Sequence, residues 1–347
     1  MSSKCAVVTG ATGQDGSYLV ELLLGKEYNV IGIVRRTTYD IKKSNLTKES
    51  LEHPKLKIFD GDLTDQASLV KVFNYCKSFD TIEVYNLAAQ SHVGISFKCP
   101  VSTSEINYIG TLNLLETIKQ LDLIEKTKFY QASTSEMFGK VQEVPQTETT
   151  PFYPRSPYGV SKLAAHWIVK NYRESYNLFG CCGILFNHES PRRGDNFVTQ
   201  KIVKGLARVM SGQQEYLELG NIDSKRDWGH AKDYVRAMWM MLQQENSYDY
   251  IVSSGKQHSV RDFIDCVLKT YDCQIEWFGE GVDEQGVIGD KTIIKISEEF
   301  YRPAEVDSLL GNCSKIKTIG WKPEFTFDDL VKDMVENEAR AIKKLYL

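Results

Sequence analysis

The sequence predicts an α/β fold: a doubly wound parallel sheet with a smaller, interleaved α/β domain in the C-terminal half. Three observations predict it. Short apolar runs alternate with longer amphipathic ones through the first half of the chain, as in strands buried on both faces and joined by crossover helices. A turn with three glycines, Gly10-Ala11-Thr12-Gly13-Gln14-Asp15-Gly16, separates the first apolar run from the first helical one. From about residue 187 the alternation becomes less regular.

The elements follow in order. Residues 6–8 read as a buried strand, and 17–24 as a helix opened by the glycines. Residues 30–34, 55–59, 82–87 and 128–131 supply further strands, with helices at 67–75 and 108–119 between them. Right-handed crossovers wind such units onto both faces of one sheet. Four of the nine prolines, Pro145, Pro151, Pro154 and Pro157, fall within 145–157, so this stretch is an ordered loop and neither a helix nor a central strand. A long helix at 158–176 and a buried strand through 183–186 close the first domain. The expected division is 1–186 for a dinucleotide-binding domain and 187–347 for a mainly substrate-binding one, with segments returning to the first. Trp167 and Trp239 are expected in the core, His92 and His166 in structural roles, and 279–289 as a mobile loop.

Composition excludes several classes. The chain has 347 residues, 42% of them hydrophobic and 25% charged, which fits a globular protein large enough to bury its own core. Forty-two Lys and Arg stand against 46 Asp and Glu, a net charge of −4 without a long basic run, so nucleic acid is not the expected partner. The eight cysteines show no C-x-x-C spacing. That argues against a zinc site or a secreted disulfide framework, and for thiols in a reducing, cytoplasmic compartment. No metal is expected. No signal peptide is expected, because the apolar stretch after Lys4 meets Gly10 within a few residues, and no membrane span, because no apolar stretch approaches about 18 residues.

The glycine turn is G-x-x-G-x-x-G. Gly10 permits the sharp turn, Gly13 lets the backbone approach a pyrophosphate, and Gly16 lets the helix pack on the sheet. Thr12, Gln14 and Asp15 lie on the same turn, and the helix N-terminus offers free N–H groups to phosphate. The second strand runs into Arg35-Arg36-Thr37-Thr38. An acid at that point would suit ribose hydroxyls; two guanidinium groups suit a 2′-phosphate, so the expected cofactor is NADP. Asp62 and Leu63 are placed to border the adenine, and Leu87, Ala89 and Ser91 to line the dinucleotide.

Tyr158 and Lys162 form Y-x-x-x-K at the start of the long helix, on one face. A free phenol is a poor base near neutral pH, and a nearby ammonium lowers its pKa. The strand end before it carries Ser133-Thr134-Ser135-Glu136, at the carboxyl edge where such sheets bind ligands. A Ser or Thr there can hydrogen-bond a substrate hydroxyl. Glu136 adds a carboxylate able to remove a carbon-bound proton once an adjacent carbonyl acidifies it. The residues alone leave open a 4-epimerase or another 4,6-dehydratase acting on a UDP- or dTDP-sugar, and a non-catalytic NADP-binding scaffold. The dTDP-glucose dehydratases usually carry Asp-Glu where this chain has Ser135-Glu136.

Together these residues resemble the extended short-chain dehydrogenase/reductases, and within them the GDP-mannose 4,6-dehydratase family. The most specific matches are Asn187-His188-Glu189-Ser190-Pro191-Arg192-Arg193-Gly194 and Arg226-Asp227-Trp228-Gly229-His230-Ala231. The matching stretches run along most of the chain. The loop Tyr39-Asp40-Ile41-Lys42-Lys43-Ser44 departs from the family in lacking an arginine that reaches a neighbouring subunit.

The resemblance implies conversion of GDP-D-mannose to GDP-4-keto-6-deoxy-D-mannose. The steps are C4 oxidation, loss of water across C5 and C6, and reduction at C6 with bound NADP. A further 4-keto reduction would give a GDP-6-deoxyhexose such as GDP-rhamnose. It implies Tyr158 as base at the C4 hydroxyl, Lys162 as its tuner and ribose contact, Thr134 as an aid at O4 or O6, and Glu136 at C5 and C6. It implies His188 and Arg193 on the cofactor, and Asn187, Lys201, Arg226, Arg302 and Glu305 on the GDP-sugar. A homodimer or homotetramer is the implied assembly.

Overall fold

The computed structural model describes residues 3–36, 40–300, 306 and 308–345. Arg302 and Glu305, like Thr37 and Thr38, lie outside the described residues.

A parallel seven-stranded sheet forms the centre. Its first six strands in sequence are β1 (Lys4–Thr9), β2 (Asn29–Val34), β3 (Leu56–Asp60), β4 (Thr81–Asn86), β5 (Thr127–Thr134) and β6 (Phe179–Leu185). The spatial order is Tyr250–Val252, β6, β5, β4, β1, β2, β3. The winding reverses between β1 and β4, which opens a crevice at their carboxyl ends. Hydrogen bonds stitch that crevice. The Thr9 hydroxyl donates to Asn86 (2.9 Å) and accepts from the Leu87 and Ala88 N–H groups (2.9 Å each). Asn86 then donates to Gln131 of β5 (2.9 Å).

Strand residues alternate between two cores. Val8, Val30, Tyr85 and Tyr130 pack on one face with Leu19, Leu23, Met238 and Met241. Val7, Ile31, Val84 and Phe129 pack on the other with Phe73, Leu114 and Ile118. This two-fold alternation is why the strands read as continuous apolar runs. A third core, with Leu206, Trp228, Phe263, Ile294 and Leu330, lies among the Val198–Met210, Val260–Lys269 and Phe327–Leu345 helices. A four-stranded sheet (Glu276–Phe278, Gln285–Ile288, Lys291–Ile296, Leu217–Leu219) covers it. The Lys225–His230 strand lies between Gln257–Ser259 and Asn187–Glu189 in a three-stranded sheet.

Several elements differ from their sequence reading. β5 continues through the polar Ser133 and Thr134, which pair with Ile184 and Leu185 of β6. The expected helix at 108–119 begins as Pro100–Ser104 and passes through a wide π turn at Glu105–Ile109 before Gly110–Gln120. Tyr250–Val252 is too short to show a period, yet it forms the sheet edge beside β6. Residues 279–289 are no mobile loop: Gln285–Ile288 is a paired strand, and Glu284 bridges to Arg261 at 2.9 Å. Trp167 is not core. It is 52% exposed, with the Lys170 ammonium 4.3 Å above its ring, because apolar spacing alone does not tell which side of a long helix meets the sheet. Trp239 is partly buried and donates to the Tyr28 hydroxyl (3.2 Å). His92 and His166 each hold structural hydrogen bonds. All eight cysteines are free thiols, five of them buried. No helix among the described residues is long and apolar enough to cross a membrane.

Asp233, on the Ala231–Leu242 helix, is buried and accepts from the Glu324 and Phe325 N–H groups and from Arg236. Asp233→Ala strands those donors, and urea unfolding should show a loss of about 3 kcal/mol.

Candidate active site

The glycine turn has a shape no side chain tolerates. Gly10 lies at φ +66°, and a Cβ there would come within 3.0 Å of the Ala88 nitrogen. A Cβ on Gly16 would sit 2.1 Å from the Gly10 carbonyl oxygen. The Gly13 N–H closes the turn on that same oxygen at 2.9 Å. The Gln14–Gly25 helix starts here without a side-chain cap, so its first N–H groups remain for an anion. This cradle fits a dinucleotide pyrophosphate.

The turn opens into a cleft of about 1930 Å³, roughly twice a drug-sized pocket. Gly10, Thr12, Gly13, Gln14, Asp15 and Gly16 line it, and so do Arg35, Arg36, Asp62, Leu63, Leu87, Ala89 and Ser91. Thr134, Glu136, Tyr158 and Lys162 lie on the same wall system as Asn187, His188, Arg193, Lys201 and Arg226. One cavity therefore holds every expected site residue within the described set. Arg35 and Arg36 are exposed at its rim, beyond β2. Asp62 is fixed by Thr64, whose N–H and hydroxyl donate to it at 2.9 and 2.7 Å. Leu63 packs so tightly on Gly110 that a Cβ there would lie 2.6 Å away.

The reacting groups come from the end of β5 and the Pro157–Tyr176 helix. Tyr158 and Thr134 are both buried and line the same wall of the cleft. Glu136, half-buried, follows on a short turn whose N–H donates to the Thr134 hydroxyl (3.2 Å). The Lys162 ammonium does not reach the phenol. It donates to the Ala132 carbonyl (3.0 Å) and stands 6.0 Å from the Tyr158 ring centre. The expected lowering of the Tyr158 pKa is accordingly replaced by a rise. Burial pushes the phenol up to about 12 and the Glu136 charge adds to this, against the opposing pull of the Thr134 hydroxyl and the Arg193 charge. Burial pushes Lys162 down to about 8, opposed by Asp15. The lysine spends its hydrogen bond on the strand backbone, and desolvation dominates the phenol.

His188 and Asp15 meet each other. The His188 ring donates from Nε2 to Asp15 (2.7 Å) and from Nδ1 to the Phe186 carbonyl (2.8 Å), and stacks on Tyr234 at 4.4 Å. Two acceptors favour the doubly protonated ring. The His188 pKa is raised, with the Asp15 charge outweighing burial, and Asp15 is lowered in return. Gln14 completes the clasp by donating to Asp15 (3.0 Å) and to the His188 carbonyl (3.1 Å). Arg193 lies over Phe197 at 3.6 Å and pairs with buried Glu189 at 3.0 Å, while Glu189 accepts from Thr199 (2.6 Å). On the far wall the Lys201 ammonium sits 3.2 Å from the Phe300 ring centre, and burial lowers its pKa. Arg226 is buried and donates to the Lys225 carbonyl (3.0 Å).

Two supporting residues escape sequence reading. Asn107, buried in the π turn, donates to the Gln90 carbonyl (3.1 Å) and the Ser161 hydroxyl (3.0 Å), tying the loop after β4 to the helix of Tyr158. An asparagine inside a helical pattern, where it is unfavourable, was the available signal. Glu189 had none beyond its place between His188 and Arg193.

A parallel sheet with a glycine cradle at its switch point, and a tyrosine and lysine one helical turn apart at the end of β5, define an extended short-chain dehydrogenase/reductase. The structure superposes on the UDP-glucose 4-epimerase of Thermus thermophilus complexed with NAD, with a TM-score of 0.77, 25% identity and coverage of 97% of this chain and 99% of that one. The sequence pattern of the GDP-mannose 4,6 dehydratase family matches residues 7–334, and the chain belongs to that family. It is 50% identical to the GDP-mannose 4,6 dehydratase of Drosophila melanogaster over 348 residues, covering 98% of this chain and 87% of the relative. It is 50% identical to that of Homo sapiens, covering 97% and 92%.

Gly16→Ala should abolish measurable dinucleotide binding by titration calorimetry, since the turn cannot close around a methyl group. A second prediction concerns pH. His188 contributes stability that is fully present below its ordinary pKa of about 6.5 and is lost as pH rises through its raised folded value. Asp15 contributes stability that is lost as pH falls through its lowered value. Urea midpoints of the parent should therefore drop above pH ~6.5 more steeply than those of His188→Gln.

Proposed function

We propose that the chain dehydrates GDP-D-mannose to GDP-4-keto-6-deoxy-D-mannose with NADP as resident cofactor. The observation that carries this reading is the convergence of Thr134, Glu136, Tyr158 and Lys162 on one wall of a cleft large enough for two nucleotides. Family membership supports the substrate. Arg35 and Arg36 at the rim favour a 2′-phosphate over a bare ribose. Asn187, Lys201 and Arg226 are proposed to hold the GDP-sugar, and Arg302 and Glu305 join them on resemblance alone. Residues 1–186 would bind the dinucleotide and 187–347 mainly the sugar nucleotide.

Held by the Gly10–Gly16 turn, Arg35 and Arg36, an oxidised dinucleotide would supply the acceptor and later donor of the C4 hydride, and a positive charge favouring the Tyr158 phenolate. The chain's own residues do the rest. Tyr158 takes the C4 hydroxyl proton while Thr134 holds that oxygen. The resulting C4 ketone acidifies the C5 proton. Glu136 removes it and returns a proton to the departing C6 hydroxyl, which leaves as water. Hydride return at C6 leaves an enolate that is reprotonated at C5, and Tyr158 releases the proton it took, so that both residues end as they began. Glu136, half-buried on the cleft wall, is placed for both roles. Lys162, held on Ala132, is proposed to turn to the nicotinamide ribose. The cleft keeps one sugar in place through all steps, and that positioning supplies much of the rate.

A homodimer or homotetramer is proposed, supported by the outward Val101, Val160 and Trp167 (69%, 54% and 52% exposed) on packed helices. Buried thiols suit a cytoplasmic location.

Incubation with GDP-mannose and NADP should give a product lighter by one water by mass spectrometry; turnover of UDP- or dTDP-sugars alone would overturn the substrate. Glu136→Gln should lower product formation by roughly 10²–10⁴-fold while hydride removal from C4, read as NADPH absorbance in a single turnover, persists. Tyr158→Phe should suppress that absorbance itself. A product reduced at C4 as well would reveal the second activity, giving a GDP-6-deoxyhexose such as GDP-rhamnose.

A further inference from the structure

One face of the Pro157–Tyr176 helix presents three polar side chains, a turn apart, to three successive residues of β5. Tyr158 shares the cleft wall with Thr134, Lys162 bonds the Ala132 carbonyl (3.0 Å), and His166 Nδ1 meets the Ser133 hydroxyl at 3.0 Å. The first two belong to the site described above. The third does not touch the reacting groups, yet Ser133 lines the cleft and immediately precedes Thr134.

His166 is itself held. Its Nε2 faces the Asp249 carboxylate at 3.9 Å, and Asp249 is locked by Arg173 at 3.0 and 3.1 Å with Lys170 at 3.7 Å. Phe152 meets the imidazole edge-on at 5.4 Å. Burial keeps the ring neutral, its pKa pushed down to about 4 against the pull of Asp249. With Nε2–H turned toward the carboxylate, Nδ1 accepts from the Ser133 hydroxyl. Cys182 brings a third donor atom within 4.8 Å of those of His166 and Asp249, but two cations already occupy Asp249 and burial holds the thiol protonated. A metal ion does not suit this cluster.

We propose that His166 and Ser133 are positioning residues for the dehydration: their hydrogen bond fixes the end of β5 against the catalytic helix, so that Thr134 meets Tyr158. The inference rests on the active-site reading above. β5 ends at Thr134, beyond which no ladder holds the chain. Small misplacements of reacting groups are costly to rate and cheap to binding.

Steady-state kinetics on GDP-mannose test it. His166→Phe keeps the ring volume and loses the acceptor; kcat should fall roughly tenfold with KM within about twofold of the parent. His166→Asn places an amide where Nδ1 stood and should restore most of the loss. Ser133→Ala should match His166→Phe, and the double variant should be no worse than either single one, because one interaction is removed twice. Should His166→Phe not fold, the smaller Ser133→Ala change carries the test. A lowered melting temperature with unchanged kcat would overturn the proposal, and so would a His166→Asn variant as impaired as His166→Phe. Parent turnover separately decides the functional reading. Independently of turnover, imidazole ¹⁵N shifts should report a neutral His166 with a hydrogen-bonded Nδ1 that Ser133→Ala alone perturbs; no perturbation contradicts the pairing.

Discussion

The active site depends on the contact between the end of β5 and the Pro157–Tyr176 helix. Everything reactive in the cleft comes from one or the other. The hydroxyl and carboxylate belong to Thr134 and Glu136, the phenol to Tyr158. A parallel strand ends where its ladder ends, and β6 holds β5 only as far as Thr134. The helix must do the remaining alignment. It does so with polar groups at successive turns, a more directional constraint than apolar packing would supply.

Around that contact the protein manages charge by burial and pairing. Burial holds the Tyr158 phenol above its ordinary range. Lys162 is pushed the other way. The Asp15–His188 clasp joins the glycine turn to the Asn187–Glu189 strand, across 173 residues of sequence. Glu189 neutralises Arg193 without removing it from the cleft. The pyrophosphate cradle itself stays free of side-chain caps.

Much of this is legible in sequence because it rests on local rules. Apolar runs buried on both faces announce a parallel sheet, and Gly10 and Gly16 announce a turn that excludes side chains. Tyr158 and Lys162 share a helix face by spacing alone. What spacing does not carry is three-dimensional environment. Spacing alone has the lysine lowering the tyrosine, but its hydrogen bond goes to Ala132 and desolvation decides the outcome. His188 and Asp15 both read as cofactor contacts, and their mutual bond links elements far apart in the chain. Trp167 reads as core because helical spacing does not say which side meets the sheet. Residues 279–289 read as a loop because Gln285–Ile288 is only a four-residue strand flanked by glycines. Tyr250–Val252 carries too few residues to show a period.

The central claim is that one bound dinucleotide carries a hydride between two carbons of the same sugar, while Tyr158 and Glu136 move the protons. GDP-mannose deuterated at C4, turned over with unlabelled NADP, tests this most directly. The deuterium should appear on the new C6 methyl group of the same molecule. Deuterium found at C4 of the product, or lost to the free dinucleotide pool, would contradict the claim.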